Sequence, residues 1–164
     1  MTILGLDPGL ARLGWGVIQL EGNHAKPVAF DVVETSPSSP TPIRLRTLYD
    51  GVKAMIAQFK PDEIAIEELF FSKNVTTGIA VGQARGVILL ACTQHTDALF
   101  EYTPMQVKQA VVGYGKAEKA QVGEMVRILL KLEKKPSPDD VADALAVALC
   151  HAHSRAMRAQ FKLK

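Results

Sequence analysis

The sequence predicts an α/β fold built on a five-stranded mixed β-sheet. Three strand-like segments follow one another near the N-terminus, and helix-like and strand-like patterns alternate after them. Strands joined by short turns pair antiparallel, whereas a strand that follows a crossover helix pairs in parallel. The two patterns together indicate a sheet that changes from antiparallel to mixed, with helices packed on it.

The first three strands form the antiparallel part of this sheet. An apolar run at residues 3–6 ends at Asp7, and a Pro-Gly dipeptide turns the chain directly after it. Residues 14–20 alternate like a second strand, and residues 28–34 follow as a third. Asp7 has two interpretations that this stretch alone does not separate, a turn-capping aspartate or a functional carboxylate.

The remainder of the chain predicts five helices and two strands. The helices cover residues 43–59, 77–95, 104–112, 117–132 and 137–153, and the strands cover residues 63–69 and 99–102. In the second helix, glycine recurs every four residues at Gly78, Gly82 and Gly86, where better helix formers are expected. This stripe predicts a close approach of the helix, either to the sheet or to the same helix of a partner.

Length and composition indicate one globular domain covering residues 1–164. A chain of 164 residues fills one core, and a net charge of +2 neither favours nor excludes nucleic acid. From about residue 154 the chain is basic, and this tail is predicted to be a frayed end that binds DNA weakly at most. No signal peptide or membrane-length apolar run is visible, and Cys92 and Cys150 have the apolar surroundings of reduced cysteines, which predicts a cytoplasmic protein.

Acidic residues occur at three places that the predicted fold can bring together. Parallel pairing of the first and fourth strands places Asp7 near Glu67 or Glu68. Alternation puts these two glutamates on opposite faces, without indicating which face holds a site. In the last helix, Asp143 lies beyond the first turn and beside the apolar stripe, where a structural aspartate is hard to explain.

Two other acids of the last helix have structural explanations beside functional ones. Ser137 is predicted to be the N-cap, so Asp139 and Asp140 would complement the helix dipole and Asp140 would complete a capping box. Asp140 and Asp143 share one face, and Asp139 and Asp143 align less closely. Because gathered carboxylates repel one another, the cluster predicts divalent Mg²⁺ or Mn²⁺ and the hydrolysis of a phosphodiester by two such ions.

Five motifs, in order along almost the whole chain, closely resemble the RuvC family of bacterial Holliday-junction resolvases. They are Gly5-Leu6-Asp7-Pro8-Gly9 with Gly14, Ala65-Ile66-Glu67-Glu68, Gly82-Gln83-Ala84-Arg85-Gly86, Gln106-Val107-Lys108-Gln109 and Ala142-Asp143-Ala144-Leu145-Ala146. The resemblance implies a ribonuclease-H-like fold with helices on both faces of the five-stranded sheet. It also implies a magnesium-dependent endodeoxyribonuclease that resolves four-way DNA junctions in recombination and repair.

The acidic site implied by the resemblance contains four residues. Asp7 corresponds to the first-strand acid and Glu67 to the fourth-strand acid, and Asp140 and Asp143 correspond to a pair of acids three residues apart. These side chains would hold two Mg²⁺ ions, for which Mn²⁺ would substitute. Asp139 is left without an assigned role.

Basic and aromatic residues are implied to contact the DNA. Lys108 and Lys119 match lysines that act near the scissile phosphate, and they are predicted to be catalytic as well as DNA-binding. Phe70 resembles an aromatic side chain that stacks on a base of the opened junction, and Phe71 and Lys116 are further candidates for DNA binding. Without the resemblance, all five would ordinarily be core or solvated surface residues.

Partners follow from the same resemblance. A four-way junction has approximate two-fold symmetry, and a homodimer presents two active sites with matching symmetry for paired nicks. The nicks are expected to leave 5′-phosphate and 3′-hydroxyl ends. The branch-migration proteins RuvA and RuvB are the implied protein partners.

Other functions remain as alternatives at this point. An RNA-processing nuclease on the same fold would share the acids but cut RNA. A nucleotide-binding phosphotransfer domain is less favoured, because the Gly-x-Asp-x-Gly turn resembles a phosphate loop but no second such loop follows. A junction-binding module without activity is disfavoured by the complete set of acids.

Overall fold

A computed structural model of the chain describes residues 1–69 and 75–163, with the side chains of residues 75–77 and 158 also outside the description. The strands are β1 (Thr2–Asp7), β2 (Arg12–Glu21), β3 (His24–Glu34), β4 (Glu63–Glu67) and β5 (Leu99–Tyr102). The α-helices among these residues are α1 (Thr41–Phe59), α2 (Val75–Thr93), α3 (Pro104–Val112), α4 (Lys119–Leu129) and α5 (Asp139–His153), and a short 3-10 helix covers Arg155–Gln160. The predicted order of strands and helices is confirmed.

The five strands form one mixed sheet in the order β3, β2, β1, β4 and β5. β2 pairs antiparallel with β1 and β3, whereas β4 lies parallel to β1 and β5 parallel to β4. Leu6 lies opposite Ile66, so the carboxyl ends of β1 and β4 meet at one edge of the sheet. The five-stranded mixed sheet is therefore confirmed, and its topology places Asp7 and Glu67 at neighbouring strand ends.

Helices cover both faces of the sheet, as predicted. One core packs α1 and α2 against the face that contains Leu6 and Ile66. The second core packs α3, α4 and α5 against the face that contains Ile3 and Ala65. Because successive side chains in a strand point to opposite faces, Glu67 points to the α5 side and Glu68 does not.

Glycines in β1 and β2 allow α5 to lie close to the sheet. A side chain at Gly5 would overlap the backbone of Ala144, and one at Gly14 would overlap the carbonyl oxygen of Asp140. Gly14 is also the cross-strand neighbour of Asp7. Because glycine has no side chain, the first turn of α5 can lie directly over the end of β1.

Two local predictions are wrong at α5 and β3. Pro138, not Ser137, occupies the N-cap position of α5, and no side chain caps the helix. The capping box predicted for Asp140 is therefore absent, although Asp140 does lie in the first turn. β3 begins at His24, earlier than predicted, because it is an edge strand and an edge strand accommodates Pro27 without losing a ladder hydrogen bond.

The basic tail is not frayed, contrary to the prediction. Leu163 donates a backbone hydrogen bond to Leu99 at 2.9 Å, and Glu101 donates one to Phe161 at 2.9 Å. The tail therefore covers the open edge of β5, where unpaired backbone groups would otherwise face water.

No helix in the described part of the chain is long and apolar enough to span a membrane.

Candidate active site

Four carboxylates converge where β1 and β4 end beneath α5. Burial, repulsion from Glu67, Asp143 and Asp140, and a hydrogen bond between the Asp7 and Glu67 side chains raise the pKa of Asp7 well above its usual value. Burial and repulsion from Asp143 likewise raise the pKa of Glu67. The structure thus brings together all four acids that the family resemblance selected.

Two of the predicted lysines border these acids. A cavity of about 200 Å³ is lined by Glu67, Lys108, Lys119 and Asp143. Lys119 Nζ donates to Asp143 Oδ2 at 2.9 Å, and this hydrogen bond raises the pKa of Lys119. Lys108 lies near enough to Glu67 for its charge to oppose part of the rise in the pKa of that carboxyl. The cavity therefore combines acids that attract cations with lysines that attract phosphate.

Two other acids and the third candidate lysine lie outside this cavity. Asp139 is exposed, with its Oδ1 3.9 Å from Lys135 Nζ, and it stands outside the acidic cluster. Glu68 lines a different cavity with Glu101. Lys116 lies beside Tyr114 on the loop after α3 and lines a different cavity from the one formed by Glu67 and Asp143. Phe70 and Phe71 are outside the described residues.

Arg12 is a charged neighbour of the site that the sequence did not indicate. Its Nη1 lies 4.0 Å from Asp140 Oδ2, and its Nε donates to Glu34 Oε1 at 2.9 Å. The half-exposed side chain places a positive charge at the solvent side of the acids. An arginine at the start of a strand carries no local pattern that would reveal this position.

The donor set of the cluster fits a hard divalent cation. Its ligands are carboxylate oxygens, which Mg²⁺ and Mn²⁺ prefer over the nitrogen and sulfur donors of zinc sites. In the described residues, no three acidic, histidine or cysteine side chains are placed so that together they could hold a metal ion. Burial and mutual repulsion raise the pKa values of Asp7 and Glu67, and Lys119 forms an ion pair with Asp143 at 2.9 Å.

Without metal, the wild-type protein is expected to lose stability relative to Asp7→Asn as the pH rises above about 4. The pKa of Asp7 is higher in the folded state, so in this range the folded state holds more protons than the unfolded state. Stability then falls as pH rises, by the linkage relation. Thermal melts in EDTA should show a higher melting temperature for the variant at pH 7 and no difference near pH 3.

An equal melting temperature for both proteins across this pH range would show that the neighbouring acids do not destabilise ionised Asp7. Asp139→Asn is the matched control, because this exposed aspartate lies outside the cluster. Its melting temperature at pH 7 should not exceed that of wild type, because it loses a first-turn charge that complements the helix dipole.

The fold and the acidic site define a nuclease of the ribonuclease-H-like class. The chain belongs to the RuvC family: the family model described as crossover junction endodeoxyribonuclease RuvC matches residues 3–151. The predicted family, the ribonuclease-H-like fold and the endodeoxyribonuclease class are thereby confirmed. Nucleases of this family are metal-dependent.

Individual relatives cover nearly the full chain. A crossover junction endodeoxyribonuclease RuvC from Alkaliphilus metalliredigens is 54% identical over 164 residues, covering 100% of both chains. The protein of the same name from Heliobacterium modesticaldum is 55% identical over 154 residues, covering 94% of this chain and 95% of its own. Thermus thermophilus RuvC, solved in complex with a Holliday junction substrate, is 39% identical with a TM-score of 0.90 and 96% coverage of both chains.

Proposed function

We propose that this protein is a structure-selective endodeoxyribonuclease that resolves four-way DNA junctions during homologous recombination and repair. The observation that carries the proposal is the convergence of four acids and two lysines in a chain that aligns with RuvC proteins over its length. The Thermus thermophilus relative was solved with a Holliday junction substrate, which supports the same substrate class here.

The four acids are proposed as the metal ligands. Asp7, Glu67, Asp140 and Asp143 would hold two Mg²⁺ ions, with Mn²⁺ as a substitute, and the ions would supply water activation and charge neutralisation for phosphodiester hydrolysis. Burial raises the pKa values of Asp7 and Glu67, and a bound cation would favour their ionised forms. The products would carry 5′-phosphate and 3′-hydroxyl ends.

The lysines are proposed to neutralise the reacting phosphate. The Lys119 side chain is 67% exposed, whereas Asp143 is 18% exposed, so the ammonium can leave the carboxylate for a phosphate that enters the cavity. Lys108 lines the same cavity beside Glu67. Positive charge placed where negative charge develops on the phosphate lowers the barrier.

Further DNA contacts are proposed outside this cavity. Lys116 is exposed and would bind a backbone phosphate, which contributes affinity without sequence selectivity. Phe70 and Phe71 follow β4 and would stack on bases at the junction centre. A DNA substrate also implies that the enzyme works in the cytoplasm, with RuvA and RuvB as the implied branch-migration partners.

A homodimer is proposed to provide the second active site. Gly82 and Gly86 face open space as far as the described residues show, since a side chain at either position would meet none of their atoms within 4 Å. Their predicted close approach to the sheet is therefore wrong, and approach to a partner helix remains. Ile79, three residues before Gly82, is 60% exposed, and Leu90, four residues after Gly86, is 54% exposed, so the same helix face presents apolar side chains.

Gly82→Leu is expected to convert the dimer into a monomer. Leucine would keep two α2 helices from approaching, and it also favours helix formation, so the subunit should remain folded. Size-exclusion chromatography with light scattering measures the change, and paired cleavage should fall with the dimer. Ala54→Leu, on the exposed face of α1, is the matched control. A dimeric, fully active Gly82→Leu protein would contradict this interface.

The experiment that tests the function uses a fixed synthetic four-way junction with and without Mg²⁺. Symmetric paired nicks that require Mg²⁺ are expected on the junction, and a linear duplex of the same sequence should remain uncut. A structured RNA of equal length tests the RNA-processing alternative. Preferential cutting of RNA, or equal cutting of the linear duplex, would overturn the proposal.

A further inference from the structure

Arg85 links α2 to the backbone of a proposed metal ligand. Its Nη1 donates to the carbonyl oxygen of Glu67 at 2.8 Å, and its Nη2 donates to Glu101 Oε1 in a short ion pair. The Arg85 side chain is only 12% exposed. A charged group so far removed from water needs specific partners, and these two supply them.

The carbonyl of Glu67 has no donor available from the sheet itself. Backbone groups of successive residues in a central strand point to opposite neighbouring strands. The Ile64 N–H donates to the Ala98 carbonyl on the β5 side, so the backbone groups of Glu67, three residues later, point towards β1. A parallel ladder continued by one step would bring the N–H of residue 8 to the Glu67 carbonyl. Residue 8 is proline, which has no N–H. Arg85 therefore takes the place of the missing ladder donor.

The guanidinium reaches this carbonyl from the α2 side of the sheet. Glu101, the second partner of Arg85, lies on β5 opposite Ile66 of β4. The Glu67 carboxylate, in contrast, lies on the α5 side with Asp7. Arg85 thus binds the backbone of Glu67 from the α2 side of the sheet, whereas the Glu67 side chain faces the acidic cluster on the α5 side.

We propose that Arg85 is a positioning residue that fixes Glu67 for metal binding and joins the α2 helix to the active site. The inference rests on the proposed function for the role of Glu67. The same helix carries Gly82 and Gly86, the face proposed to meet the partner subunit. A shift of α2 on dimer formation would therefore move Arg85 and, with it, the position of Glu67.

The test compares Arg85→Lys with wild type in two ways. Lysine keeps the positive charge near Glu101 but cannot donate to both partners with the planar geometry of a guanidinium. Direct Mn²⁺ binding to the protein without DNA, followed by electron paramagnetic resonance, is expected to weaken by about tenfold or more, as for residues that orient metal ligands. The Mg²⁺ concentration for half-maximal junction cleavage should rise by a similar factor.

A local readout separates positioning from general damage. In the metal-free variant, amide hydrogen exchange at Glu67 and Glu68 should accelerate, whereas exchange at the centre of β1 should be unchanged. Arg44→Lys is the matched control, because Arg44 of α1 also makes a partly buried hydrogen bond, from Nε to Thr35 Oγ1 at 2.8 Å. This control should bind Mn²⁺ like wild type.

Two further variants keep the inference falsifiable. Glu101→Gln retains the Arg85 bond to Glu67 and should change Mn²⁺ affinity less than Arg85→Lys does. If Arg85→Lys fails to fold, the double variant Arg85→Met with Glu101→Gln removes the donor without leaving a buried charge unpaired. Wild-type Mn²⁺ affinity and exchange in a folded variant without the Arg85 donor would overturn the positioning role.

The two proposals fail in different ways. If wild type does not cut the junction but loss of Arg85 still weakens Mn²⁺ binding, the positioning role stands and the junction activity is wrong. If wild type cuts the junction and folded Arg85 variants bind Mn²⁺ and cut normally, only the positioning role is wrong.

Discussion

Replacing Asp7 with asparagine is expected to abolish junction cleavage and to leave junction binding intact. Asp7 lies beside three other acids, Glu67, Asp140 and Asp143, and asparagine has nearly the same shape without the charge that attracts a cation. A loss of about 4 kcal/mol of transition-state stabilisation lowers the cleavage rate about a thousandfold. Binding depends mainly on phosphate contacts by lysines, which this change does not touch.

Single-turnover cleavage of a labelled four-way junction measures the loss, and gel-shift titration in Ca²⁺ measures binding. Asp139→Asn is the matched control, since it makes the same chemical change on an exposed residue outside the cluster. It should cut the junction at the wild-type rate. Cleavage by Asp7→Asn within about tenfold of wild type would remove Asp7 from the proposed ligand set.

Gly14→Ala is expected to combine lower stability with loss of cleavage. The added methyl group would overlap the Asp140 carbonyl oxygen, so α5 must move away from the sheet. Overpacking of this kind costs about 3 kcal/mol in the free energy of unfolding. A displacement near 1 Å of Asp140 and Asp143 relative to Asp7 would lower the cleavage rate about a hundredfold.

Denaturant unfolding and single-turnover cleavage measure the two effects of Gly14→Ala. Gly123→Ala in α4 is the control, because its methyl group would meet only the end of the flexible Lys135 side chain, which can move, and alanine favours the surrounding helix. This control should stay within about 1 kcal/mol of wild-type stability and should cut the junction normally. Wild-type stability and activity in Gly14→Ala would show that α5 does not depend on this close approach.

Much of the fold follows from local patterns in the sequence. Strand alternation, helical spacing of apolar residues and the Pro-Gly turn after Asp7 predicted the order of elements and the mixed sheet, which the structure confirms. Local signals gave the wrong structure at the start of α5 and in the C-terminal tail. Pro138 takes the cap position predicted for Ser137, and the tail pairs with β5 although its composition is typical of a frayed end.

The candidate site was visible in the sequence in two ways. Asp143 stood out because an aspartate beside an apolar helical stripe has no bland explanation. The motifs shared with the RuvC family then selected Glu67 over Glu68 and Asp140 over Asp139. The structure brings the selected residues together, and their chemical roles stay predictions that the variants above test.

The sequence alone determined which types of element occur, in what order, and which acids end the strands, because these features depend on neighbours a few residues apart. Only the tertiary structure decided which sheet face holds the acids, how closely α5 lies over Gly14, and that Arg85 supplies the donor that Pro8 lacks. Those features depend on pairs of residues far apart in the chain. Alternation assigns two faces without distinguishing them, and no local period records which distant helix will pack on either face.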